Sequence, residues 1–191
     1  MANTDNAFGL KPVRYLSGAP YNGACNMYYV PSTDTTAAIY IGSLVKLAGG
    51  ADADGVATVT QADTTNEFVG VVVGVQASTA GSTTYRANST SRYVWVADDP
   101  NLLFEIQEDG VTTPVAAASV GLNADFVSQG GSTVTGLSTI ELDSDSVATT
   151  ATLDFAIFGL VNRADNVIGA NAKWLVRLLN HQYKDSTTGV S

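Results

Sequence analysis

Short apolar segments of period two, cut every few residues by Gly, Pro, Asn or Asp, constrain this chain more than any other feature. Side chains of a strand point alternately to opposite faces, so segments of this kind bury their apolar side only by pairing into sheets. Residues 24–30 alternate Cys25, Met27 and Tyr29 with Asn26, Tyr28 and Val30, and Pro31 ends the run. Residues 39–47 (IYIGSLVKL) read as a strand pair or a strand bent at Gly42, and the Gly- and Asp-rich stretch 49–55 as a turn before a strand at 56–61. Residues 68–75 (FVGVVVGV) are almost continuously apolar, the pattern of a strand buried on both faces. Residues 83–86 and 91–97 read as hairpin arms or one long strand, and the turn Asp98-Asp99-Pro100-Asn101 leads into a strand at 102–107. Residues 125–128 and 133–142 are strand-like, and 152–161 and 174–183 are the most regular alternations. One helix signal stands apart: Thr113 as N-cap, Pro114 in the first turn and Gly121 as the stop predict a short helix over 114–119. The fold class expected is all-β, a jelly-roll sandwich or small β-barrel with one short helix.

The opening residues differ from the rest. Residues 7–20 (AFGLKPVRYLSGAP) are apolar, yet Gly9, Pro12, Gly18 and Pro20 break any regular element. They predict an extended N-terminal arm, residues 1–22, packed on its own body or on a neighbouring subunit. A single β domain then covers 23–185, and 186–191 is expected to fray. Phe8, Leu10, Lys11, Arg14, Tyr15 and Tyr21 are the expected protein-interface residues. Tyrosine joins apolar area to a polar tip, and Lys11 and Arg14 are cations in a chain of net charge −9.

Composition narrows function. Only 14% of the 191 residues are charged, with one histidine and one cysteine. Acid–base and metal chemistry need clustered ionisable groups, so no catalytic, cofactor or metal site is expected, and no enzyme activity. An acidic surface repels nucleic acid and anionic membranes. The first residues hold no basic stretch followed by an apolar run, so no secretory signal is expected, and no segment is apolar for long enough to span a bilayer. Cys25 reads as a small half-buried hydrophobe and His181 as a histidine at a strand end. Glu141, Asp143 and Asp145, like Asp52 and Asp54, read as solvated acidic loops, since the EF-hand spacing that would hold calcium is missing.

Three strings carry a resemblance: NAFGLKPVRYLSGAPYNGACNMYYVPS (6–32), IYIGSLVKL (39–47) and ATLDFAIFGLVNRADNVIGANAKWLVRLLNHQ (151–182). They resemble tailed-bacteriophage virion proteins of the capsid decoration, or cement, family. That resemblance implies a jelly roll or small barrel, assembly as a homo-dimer or homo-trimer, and a place on the outer capsid surface of the virion, bridging copies of the major capsid protein. It carries over no catalytic residues. The alternative is a virion tail or host-attachment module binding a receptor or glycan, which an exposed cluster of Trp, Tyr and carboxylates would favour.

Overall fold

The computed structural model describes residues 3–64, 66–111, 113–127 and 129–184; the expected fraying of 186–191 lies outside them. Among these residues twelve strands form: β1 Lys11–Tyr15, β2 Asn26–Val30, β3 Leu44–Ala51, β4 Ala57–Gln61, β5 Gly70–Val75, β6 Arg92–Ala97, β7 Leu102–Gln107, β8 Asn123–Ala124, β9 Phe126–Val127, β10 Glu141–Leu142, β11 Phe155–Leu160 and β12 Lys173–Leu178. Residues 83–86 and 133–140, expected as strands, form only isolated bridges and turns, and β1 is a strand in the stretch expected to be irregular. Strands β2-β4-β3-β5-β6 close into a small barrel, with β6 pairing back onto β2. Strands β1-β7-β12-β11-β8 form a second, antiparallel sheet, and β9 with β10 makes a two-stranded ribbon. The fold is therefore all-β, and of the two architectures expected it contains the small barrel.

Two cores explain the patterning. Tyr28, Val30, Val45, Val59, Val72, Val94 and Val96 fill the barrel. Leu44, Val71 and Ala97 point outward from it and meet Leu102, Phe104, Ile106, Phe155, Trp174 and Val176 of the second sheet. Strand β5 thus serves both cores, Val72 on one face and Val71 on the other, which is why its sequence is almost unbroken in apolar residues. Strand β7 is buried along its whole length, although its sequence alternates. Its outward Glu105 is held by Arg163, and its outward Gln107 by Asp5, Asn6 and Glu141.

Arg86 is fully buried, and its guanidinium donates to the carbonyls of Thr90, Ala37, Pro31 and Asp34 at 2.8, 2.8, 2.9 and 2.6 Å. The Asp34 carboxylate lies 3.7 Å away. The planar fork of arginine meets several carbonyls at once, so one side chain ties the loop after β2 to the loop before β6.

The expected helix is corrected. Residues 114–119 hold only a 3-10 turn at Ala117–Ser119, and Ala116 before it is extended. Val115 is buried, and its amide donates to Glu108 Oε2 at 2.7 Å. A run this short recovers too few hydrogen bonds to offset helix nucleation, and a single buried valine with a carboxylate partner dictates the path instead. Among the described residues no helix is long and apolar enough to cross a membrane.

The N-terminal segment is extended, and it packs on its own body. Asn3 bonds Val167 and Ala170, the Asn6 amide donates to Gln107, and β1 pairs along β7 from Lys11↔Glu105 to Tyr15↔Leu102. Among the described residues the arm, 3–22, and the body from 23 on therefore share the second sheet and its core.

Candidate interaction groove

The groove begins with two glycines. Gly9 and Gly42 both have positive φ, 73° and 91°, and the Leu10 amide donates to the Gly42 carbonyl at 3.0 Å. A Cβ on Gly42 would sit 2.9 Å from the Phe8 carbonyl oxygen, so only glycine lets the arm cross the barrel loop this closely. The crossing seats Leu10 in the core at 2% exposure and leaves Phe8 half-buried beside it.

A cavity of about 640 Å³ opens next to this crossing, at the seam between barrel and arm. Its apolar wall includes Phe8, Leu10, Pro12, Tyr21, Ile41 and Leu137, and its charged side chains are Lys11, Lys173, Arg163 and Glu105. Arg163 is neutralised between Glu105 at 2.9 Å and Asp165 at 3.2 Å. Neither Lys11 nor Lys173 forms an ion pair among the described residues. An apolar trough with two uncompensated lysines, in a chain of net charge −9, suits an apolar segment that carries negative charge.

Four of the six expected interface residues, Phe8, Leu10, Lys11 and Tyr21, line this one cavity. The other two do not. Arg14 reaches across the sheet to lie 5.4 Å from the centre of the Phe158 ring, and Tyr15 packs against the core of the second sheet. Sequence reasoning missed Glu105, Arg163 and Lys173. Lys173 was within reach of it, since strand alternation sets it opposite the buried Trp174. Arg163 was not, because it reaches the rim from a loop through its pair with Glu105.

His181, Cys25, Asp143 and Asp52 do not line the groove. His181 is buried, with Nδ1 accepting from the Tyr183 amide at 3.2 Å and its main chain bridged to Phe68. Cys25 is half-buried with a free thiol. Asp143 caps a 3-10 turn at Ser144–Ser146. Asp52 accepts from the Asp54 and Val56 amides, both at 2.9 Å, which closes the β3–β4 turn. Among the described residues no three His, Cys, Asp or Glu side chains are arranged to hold a metal ion. Comparison with protein-family models, with curated proteins and with solved structures finds no match to this chain.

Three carboxyls make stability depend on pH. Burial holds Glu108, Glu141 and Asp143 above the usual carboxyl range, against opposing hydrogen bonds from the Val115 amide, the Gln107 amide and the Asp145 amide respectively. A carboxyl whose pKa is raised by folding binds more protons folded than unfolded. Stability therefore grows as pH falls through the folded values, and the gain is complete near the unfolded values of about 4. Asp52 is shifted the other way, chiefly by its hydrogen bond from Tyr93, and acts only below that window. Melting temperature is expected to rise as pH falls from neutral toward about 4, and the Glu141→Gln variant to show a shallower rise. A melting temperature that falls steadily over this interval would contradict the assignment.

Proposed function

We propose that this protein is a bacteriophage head decoration, or cement, protein that binds the outer capsid surface and bridges major capsid subunits as a homo-dimer or homo-trimer. The observation that carries the reading is the groove beside β1, where residues of the string 6–32 that resembles this family meet on one apolar, lysine-edged surface. A segment of the capsid subunit with apolar and acidic residues is its occupant. The two cores make a rigid β body, so little order is lost when that segment docks. Binding only to the mature lattice stabilises that lattice by mass action. Many contacts of about 1,600 Å² each then act together on one shell.

Point substitutions test this better than truncation, since removing residues 1–22 would also strip β1 from its sheet. The Lys11→Glu/Lys173→Glu double variant is expected to keep its melting temperature and to bind capsids stripped of the protein at least about tenfold more weakly in co-sedimentation. Wild-type binding should weaken as salt is raised. Particles lacking the protein should release DNA at lower temperature than complete ones. Unaltered capsid binding by the double variant, or equal heat resistance of the two kinds of particle, would count against the reading.

A further inference from the structure

A second surface, on the outer face of β2 and β6, has a different chemistry. Residues 27 and 29 of β2 and 93 and 95 of β6 alternate outward, and the register sets Met27 opposite Trp95 and Tyr29 opposite Tyr93. Large apolar side chains usually turn inward, but Met27 and Trp95 are 37% and 39% exposed. The indole lies across Gly74 of the neighbouring strand, where a Cβ would stand 3.5 Å from the ring. The Cδ1 side of the indole thus lies beside Gly74, while 39% of the residue stays open to solvent. The Tyr29 and Tyr93 rings lie 5.2 Å apart, inclined at 48°. The Tyr93 hydroxyl donates to Asp52 Oδ2 at 2.6 Å, and that bond is the main reason its pKa is pushed up to about 12.

At the tyrosine end the platform runs into a small pocket of about 230 Å³, lined by Tyr29, Tyr93, Gln76, Ser78, Ser91 and Arg92. It offers an amide, hydroxyls and a guanidinium around two aromatic walls. We infer that this face is a binding site for a neutral oligosaccharide, with sugar rings stacked on Trp95 and Tyr93 and one ring seated in the pocket beside Tyr29. A pyranose has an apolar C–H face and a rim of hydroxyls, which matches an aromatic platform edged by donors and acceptors. Stacked nucleobases would use aromatic rings in the same way, but they need a basic groove for their phosphates. Here Asp52 and Asp54 both act on Tyr93, and Arg92 is turned to the Gln76 carbonyl at 3.2 Å. The platform stands on strands of the closed barrel, so it is formed before any ligand arrives. The site is separate from the groove beside β1 and does not depend on the capsid reading.

The test is a printed array of neutral and acidic bacterial and plant glycans, probed with the intact protein and with the Trp95→Ala and Tyr29→Ala variants. Hits are titrated by saturation-transfer NMR and by tryptophan fluorescence. Trp174 is fully buried, so a ligand-dependent change in emission reports on Trp95. Binding of at least one neutral glycan is expected, with a loss of about tenfold or more in each variant at unchanged melting temperature. No bound glycan on the array, binding that both variants retain, or loss of capsid binding in these variants without any glycan binding would overturn the proposal. The last outcome would make the face a protein-binding surface.

Discussion

Replacing Arg86 by alanine is expected to lower the unfolding free energy by about 3–5 kcal/mol, because it strands both a buried carboxylate and buried carbonyls. In the wild type the guanidinium satisfies the carbonyls of Thr90, Ala37, Pro31 and Asp34 and stands beside the Asp34 carboxylate, whose side chain is itself almost fully buried. Alanine takes the donor from the carbonyls of Thr90, Ala37 and Asp34 and the counter-charge from the Asp34 carboxylate, which keeps its bonds from the Thr36 amide and the Thr60 hydroxyl, while the Pro31 carbonyl keeps its bond from the Asp34 amide. For a domain of this size the loss corresponds to a fall in melting temperature of roughly 10 °C. Lysine should recover less than half of it, since one ammonium cannot reach carbonyls spread across the planar fork. Urea denaturation of the three proteins measures this directly. A loss under about 1 kcal/mol would mean that water enters the barrel end and replaces the guanidinium.

What the sequence disclosed and what it withheld follow from the range over which each signal acts. Strand alternation is local, so Tyr28 and Val30 could be set against Met27 and Tyr29 without knowing their neighbours, and the structure buries the first pair and leaves the second outward. The unbroken run in β5 likewise announced a strand with two buried faces. Helix caps are local too, but here they misled: the cap residues were present, while the decision lay with Glu108, whose carboxylate takes the Val115 amide and draws that residue inward. Arg86 gave no signal of its role. Its partners are main-chain carbonyls of loops up to 55 positions away, and a carbonyl has no sequence. The groove was half legible. Phe8, Leu10, Lys11 and Tyr21 stood out as apolar, aromatic or basic in a stretch expected to be an extended arm, whereas Ile41, Leu137, Arg163 and Lys173 come from elsewhere in the chain. The aromatic platform was legible only as alternation, because nothing in the string 91–97 tells that β2 and β6 would pair and set two tyrosines side by side.

The second large effect is expected at Gly42, where sequence and groove meet. Gly42→Ala places a Cβ 2.9 Å from the Phe8 carbonyl oxygen and 3.1 Å from both Gly9 Cα and Leu10 N, all main-chain atoms that cannot swing aside. The residue also keeps a φ of 91°, which alone costs a side chain about 1–3 kcal/mol. The arm must lift, and lifting breaks the Leu10–Gly42 hydrogen bond of 3.0 Å and draws Leu10 out of the core. A total loss of about 3 kcal/mol or more is expected once that burial is included. Gly23→Ala is the control, because Gly23 has a nearly equal φ of 88° but nothing within 4 Å of its Cβ position. The difference between the two variants therefore isolates the close crossing from the backbone conformation. Hydrogen exchange should show the Leu10 amide losing protection in Gly42→Ala alone. Because Phe8 and Leu10 form a wall of the groove, the same variant should bind stripped capsids more weakly while its Trp95 face remains intact. If Gly42→Ala and Gly23→Ala are equally stable, the arm is not pinned at this crossing, and the shape of the groove is set elsewhere.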